Sequence, residues 1–308
     1  MKTVHIIVPL LAAFSICTAQ GTQQDAINPD AEFTTVAMLE SKELNEVSGI
    51  QAGEDGVFFM HNDQGSPSFF AADREGRHLG KITIRDAKKN RDWEDITRIP
   101  GESGPLLVLG DTGDNKADNK TIRLYIVAEP RPAQSGSYPE EVDLLHRLKA
   151  YYPDGPRDCE AMAYDPSSEM ILFLTKRDFP PRLYGLPLDE IFQDEKVELR
   201  FLGEVPTLRP PTMADLLSHK KRGQWISQPT GMDISADGRL AAVITYRSLY
   251  LFERAENETW VEAMQKAPVE FIGPPRLHDE AVTFGQDQRS VYVSTEQRPT
   301  PLYQLKLW

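Results

Sequence analysis

Along this chain apolar residues recur in short runs, often alternating with polar ones and bounded by Gly, Pro, Asn and Asp. This pattern predicts β-strands joined by turns. Five segments open with a polar-to-apolar run, at 45–49, 93–96, 159–162, 229–232 and 279–282. Each is followed by a second apolar strand, at 57–60, 106–109, 170–174, 240–244 and 291–293. A third strand carries a large apolar residue and then an aromatic: Phe69-Phe70, Leu124-Tyr125, Leu183-Tyr184, Leu249-Tyr250 and Leu302-Tyr303. Fourth strands are expected at 78–84, 144–152, 197–202 and 269–272, and the fifth unit lacks one because the chain ends at Trp308. The run 33–39 is expected to supply it from the other end of the chain.

The spacing supports a repeat. Sixteen positions after Glu46, Glu94, Glu160, Thr230 and Glu280 lie Asn62, Gly110, Lys176, Tyr246 and Glu296, each expected to close a second strand. The fold class that follows is all-β: a five-bladed β-propeller with four antiparallel strands per blade, its ring closed by an N-terminal strand. No amphipathic helices alternate with the strands, which excludes a parallel α/β sheet. In each first strand small residues (Ala161, Ala163, Gly231, Ala281) alternate with large ones (Met162, Tyr164, Met232, Phe284), as packing between converging blades requires. One helix is expected over 213–221, capped by Thr212, with a basic end at Lys220-Lys221-Arg222 and Gly223 beyond.

Lys2 and His5 precede an apolar run at 6–16, and Cys17-Thr18-Ala19 precedes Gln20. Residues 1–19 therefore read as a signal peptide, 20–30 as a flexible segment and 31–308 as one domain, placing the protein in a secreted or periplasmic compartment. No later run is long and apolar enough for a membrane span. Cleavage would leave Cys159 alone, expected as a small buried hydrophobe without a disulfide. Acidic residues outnumber basic ones 47 to 34, a formal net charge of −13, which argues against a nucleic-acid polymer as partner. A monomer acting on a small polar or carbohydrate-like molecule, phosphorylated or not, is the expected state.

Candidate chemistry follows from topology. In antiparallel blades the starts of first strands and the ends of second strands share one face. That face gathers Glu46, Ser48, Glu94, Glu160, Thr230 and Glu280, with Asp111 and Asp114 from an acidic loop. This oxygen-rich set suits Ca²⁺, or alternatively a structural ring of carboxylates paired with rim arginines. The same face carries His61, Asp63, Lys176, Arg177 and Arg247, candidates for binding an anionic substrate or stabilising developing charge.

Asp92-Trp93-Glu94-Asp95-Ile96, the 110–115 loop, Arg123, Glu129-Pro130, His61-Asn62-Asp63-Gln64-Gly65 and 154–161 resemble a family of secreted bacterial propellers grouped loosely with phytase-like and esterase-like proteins. More distantly, the organisation is similar to the five-bladed calcium-activated nucleotidases (soluble apyrases). That second resemblance implies one axial Ca²⁺ held by Glu46 or Ser48 with Glu94, Glu160, Thr230 and Glu280, and a basic rim pair at Lys176-Arg177. The leading expectation is a calcium-dependent hydrolase of a phosphate ester, anhydride or related polar ester. A non-catalytic module with structural calcium, binding a carbohydrate, cell-wall or protein ligand, and a propeller glycosidase using carboxylate pairs are the alternatives.

Overall fold

The computed structural model describes residues 27–218, 223–273 and 278–308. The expected signal peptide with Cys17, and the basic end of the expected helix, lie outside the described residues. Strand β1 (Thr34–Met38) precedes a first meander of β2 (Val47–Ala52), β3 (Phe58–Asn62), β4 (Ser68–Ala72) and β5 (His78–Arg85). A second contains β6 (Trp93–Ile99), β7 (Leu106–Asp111), β8 (Ile122–Ala128) and β9 (Glu141–Tyr151). Next come β10 (Cys159–Asp165), β11 (Met170–Thr175), β12 (Arg182–Pro187), the short β13 (Val197–Glu198) and β14 (Arg200–Glu204). An insertion with helix α1 (Met213–Ser218) leads into β15 (Pro229–Ile234), β16 (Leu240–Thr245) and β17 (Ser248–Glu253). Helix α2 (Trp260–Ala263) then precedes β18 (Val269–Ile272), and β19 (Asp279–Phe284), β20 (Ser290–Thr295) and β21 (Pro301–Lys306) end the chain.

Within each meander neighbouring strands pair antiparallel. Strand β1 pairs with β21, so the last sheet is completed from the opposite end of the chain. The first two meanders are joined edge to edge by parallel pairing of β5 with β9. The fourth strand expected at 197–202 is divided. Val197 and Glu198 pair in parallel with β9, and only β14 continues the third meander beside β12.

Five apolar clusters hold these sheets face to face, each shared by two successive meanders, and the last joins Ala281, Tyr292 and Leu302 to Val47, Phe58 and Phe70 of the first. The first strands β2, β6, β10, β15 and β19 each touch the next, and β19 touches β2. This closed circuit of antiparallel sheets is a β-propeller arrangement, nearly all β. The alternation of small and large residues explains it. Met162 packs toward the second meander, whereas Ala161 and Ala163 face the fourth, whose Met232 and Val243 fill the space.

Every first strand carries a β-bulge at its second residue: Ser48, Glu94, Glu160, Thr230 and Glu280. These five positions, not Glu46, are structurally equivalent, and the residues that follow the second strands are Asp63, Thr112, Lys176, Tyr246 and Glu296. The sixteen-residue spacing therefore applies to the last three meanders only. The first hairpin is one residue shorter and the second two residues longer, so the expected partners Asn62 and Gly110 lie inside their strands.

Candidate functional site

A bulge places two residues opposite one, interrupts the alternation and re-aims a side chain. Here it brings Glu94, Glu160 and Glu280 to one cavity of about 360 Å³, at the end where first strands begin and second strands finish. All three are buried. Lys176 and Tyr246, which follow β11 and β16, complete the floor, while Asp63, Asp92 and Glu296 line the mouth. Arg177 spans one wall, its guanidinium 5.1 Å from the Trp225 ring centroid, ion-paired with Asp158 and bonded to Asn115.

Two sets of hydrogen bonds order the floor. Ser48 Oγ donates to Glu94 Oε2 at 3.0 Å. Lys176 Nζ donates to Glu160 and, at 2.9 Å, to Tyr246 OH, which donates to Glu280 Oε1 at 2.6 Å. Burial and the neighbouring Glu160, Asp92 and Glu280 push the Glu94 carboxyl well above its usual range. Burial opposes a charge on Lys176, but Glu160 and the other carboxyls outweigh it and hold the ammonium protonated. Asp63 behaves differently. Burial, with the charges of Glu46 and Glu280, raises its pKa to about 6, and its Oδ1 is buried without a hydrogen-bond partner.

The remaining sequence candidates are placed elsewhere. His61 is fully buried against Trp93 in the core, and desolvation lowers its pKa to about 4, so it is neutral and no part of the cavity lining. Arg247 pins the insertion, reaching Asp215 of α1 at 2.6 Å and the Arg209 carbonyl at 2.7 Å. Thr230 turns its hydroxyl to the Asp279 carbonyl at 2.7 Å. Asp111 is paired with Arg91 and Arg123 at 3.3 and 3.2 Å, and Asp114 accepts from the Asn119 amide, closing its own loop. Glu46 is exposed beside the mouth and reaches the site only through its charge on Asp63. Cys159 is buried with its thiol pKa pushed up to about 12 by desolvation, as expected for a packed, unreactive side chain.

The donor set does not fit Ca²⁺ as arranged. The Lys176 ammonium occupies the position among the carboxyls that a cation would take, and Ser48 and Tyr246 satisfy Glu94 and Glu280. Among the described residues, no group of three or more His, Cys, Asp or Glu side chains is disposed to hold a metal ion.

Two larger cavities lack this chemistry. One of about 990 Å³ between the third and fourth meanders is built around Arg254, whose guanidinium is spent on Asp165 at 2.9 and 3.0 Å and on Trp260. The other, about 660 Å³, lies at the opposite end of the first strands, where Asp233 is bonded to the Phe284 amide and Thr283. Tyr246 was recoverable from sequence, because it shares the repeat position of Lys176. Trp225 was not, since it belongs to the insertion and to no repeat.

No family model and no curated protein matches the chain. Among solved structures, one described as a gluconolactonase covers 87% of this chain and 76% of its own at 13% identity and a TM-score of 0.44. A nidogen/laminin complex covers 81% and 72% at 11% identity and a TM-score of 0.41. No described helix is long and apolar enough to cross a membrane.

Proposed function

We propose that this chain is a five-bladed propeller whose axial cavity hydrolyses a C–O bond, glycosidic or ester, in a polyhydroxylated substrate by paired carboxyl groups. The observation that carries the reading is that two carboxyls in different environments line one cavity: Glu94, enclosed at its floor and pushed well above its usual range, and Asp63, at a pKa of about 6 with an unpartnered oxygen. Two titratable groups pushed apart in this way suit an acid and a base at neutral pH. In the proposed step the Asp63 carboxylate takes a proton from water, whose oxygen bonds to the reacting carbon. The C–O bond breaks, and the leaving oxygen takes the Glu94 proton. Lys176 donates to Glu160 and Tyr246 and so orders the cavity floor beside Glu94, acting as a positioning residue.

The cavity favours an uncharged reacting portion. Among the described residues six carboxyl groups line it against Lys176 and Arg177, so a reacting phosphate would meet repulsion from the carboxylates. Hydroxyl groups find acceptors there, and the Trp225 face beside Arg177 offers a flat apolar surface. Secretion remains part of the proposal and is tested by the N-terminal sequence of the protein recovered from its source; metal analysis of the same protein tests the calcium expectation.

Turnover of a panel of 4-nitrophenyl glycosides and 4-nitrophenyl esters tests this reading. Glu94→Gln and Asp63→Asn should each lower kcat about 100-fold or more while unfolding near the wild-type temperature. A wild-type protein inactive across the panel would overturn it and favour a binding module, and variants that keep full kcat would overturn the roles of Glu94 and Asp63.

A further inference from the structure

Beside the axial cavity, between the first meander and the β20–β21 turn, lies a second crevice of about 380 Å³. Gln64 lines both, so the two spaces adjoin on either side of one side chain. The loop can pass between them because Gly65 adopts a φ of +125°, which L side chains rarely take, and its bridge to Asn90 fixes the turn. The electrostatics reverse over this short distance. Lys42, Lys81 and Arg298 line the crevice against one carboxylate, Glu43.

Glu43 is spent on Lys81, which also lies 5.8 Å from the Phe70 ring centroid. The Arg298 guanidinium faces the side-chain amide of Asn45. Neither Arg298 nor Lys42 has an acidic side chain within ion-pair distance among the described residues. Two uncompensated cations in one recess are unusual on a chain with a formal net charge of −13. Asn45 and Asn62 add amide groups able to orient an oxyanion.

We infer that this crevice is an anion subsite: the substrate is an acidic sugar whose uncharged ring enters the axial cavity while its carboxylate, sulfate or phosphate group is held by Lys42, Arg298 and Lys81. The inference rests on the axial cavity being the substrate site, and it adds the class of substrate. The anionic group is a handle and takes no part in bond breaking. Arg298 and Lys42 supply the uncompensated charge, and Lys81, already paired with Glu43, supplies a further donor, so any of these oxyanions is accommodated. The acidic axial cavity repels the same group, which fixes the direction in which the substrate lies.

Calorimetric titration of the intact protein with glucuronate, glucose 6-sulfate, glucose 6-phosphate and glucose tests the subsite. At least one anionic sugar should bind about tenfold or more tightly than glucose, the preference should shrink as salt is raised, and the doubly substituted Lys42→Gln/Arg298→Gln protein should lose it. The three anions separate a carboxylate handle from a sulfate or phosphate one. Glu94→Gln should keep the preference, so an inactive protein that still prefers the acidic sugar sinks the hydrolase reading alone. Equal affinity for all four ligands, or a preference unchanged in the double variant, would overturn the subsite. A near-wild-type melting temperature for that variant excludes misfolding as the cause of the loss.

Discussion

At the scale of single residues, buried titratable groups dominate. Asp279 is fully enclosed, neither of its carboxyl oxygens has a hydrogen-bond partner, and desolvation followed by the Glu280 charge raises its pKa to about 9. Glu160 is raised to about 8, chiefly by burial. A carboxyl raised in the folded state keeps a proton that the unfolded chain has already released, so each such group lowers stability as pH climbs toward its folded pKa. His61 acts in the opposite sense, because its folded pKa of about 4 makes stability rise with pH until the unfolded imidazole is neutral. Above pH ~6.5, the usual histidine pKa, only the falling contributions remain. The melting temperature should therefore decline from about pH 6.5 to about pH 9, each group contributing up to about 1.4 kcal/mol per pH unit. Asp279→Asn should flatten that decline in a melting series, and a flat wild-type profile would count against the burial assigned to these groups. None of this was legible in the sequence, where His61 read as a candidate for binding an anionic substrate and nothing marked Asp279 as buried. Their fate depends on which neighbours the sheets bring over them.

At the scale of the element, the bulge in each first strand is the device that builds the site. It also explains where sequence reading went astray. A constant offset located Glu94, Glu160, Thr230 and Glu280 correctly but put Glu46 in the place of Ser48, because turn length varies between hairpins while the bulge does not. The strands themselves were legible, since apolar alternation records burial on both sides of a sheet. The parallel β5–β9 seam and the split of β13 from β14 were not, as edge pairings leave little mark on composition. Gly113 shows how tightly the second meander is fitted. A Cβ there would fall against the Glu94 and Asp92 carboxyls, and its amide donates to the Asp92 carbonyl at 3.2 Å. Gly113→Ala should cost about 1–3 kcal/mol in urea denaturation through overpacking and should cut turnover by displacing Glu94. Wild-type turnover in that variant would show that Glu94 is not where the acid is needed.

At the scale of the whole molecule, ring closure brings together residues that the chain keeps far apart. Asp95 shows the same principle in the core. Its carboxylate accepts from the amides of Ile96, Met162 and Met232 at 2.9, 2.8 and 3.2 Å, pinning three first strands around the axis. The acid excess of the sequence acquires a location in the same way, with six of the 47 acidic residues lining one cavity. The repeat made that convergence legible in outline, but not Lys176 as the cation at its centre. An ammonium bonded to Glu160 replaces the expected calcium, and the substrate expectation moves with it, from phosphate chemistry to a carboxyl acid and base acting on an uncharged sugar ring.

The central claim is that burial, together with Glu160, Asp92 and Glu280, the first and last brought from other parts of the ring, holds the Glu94 carboxyl well above its usual range so that it can act as the acid. Carbon-detected NMR titration of the Glu94 side-chain carboxyl, in the wild type and in Glu280→Gln, measures this directly. The account expects a carboxyl still protonated at pH 7 in the wild type, with a lower pKa in the variant. Ionisation near pH 4.5, the ordinary glutamate value, in both proteins would contradict it.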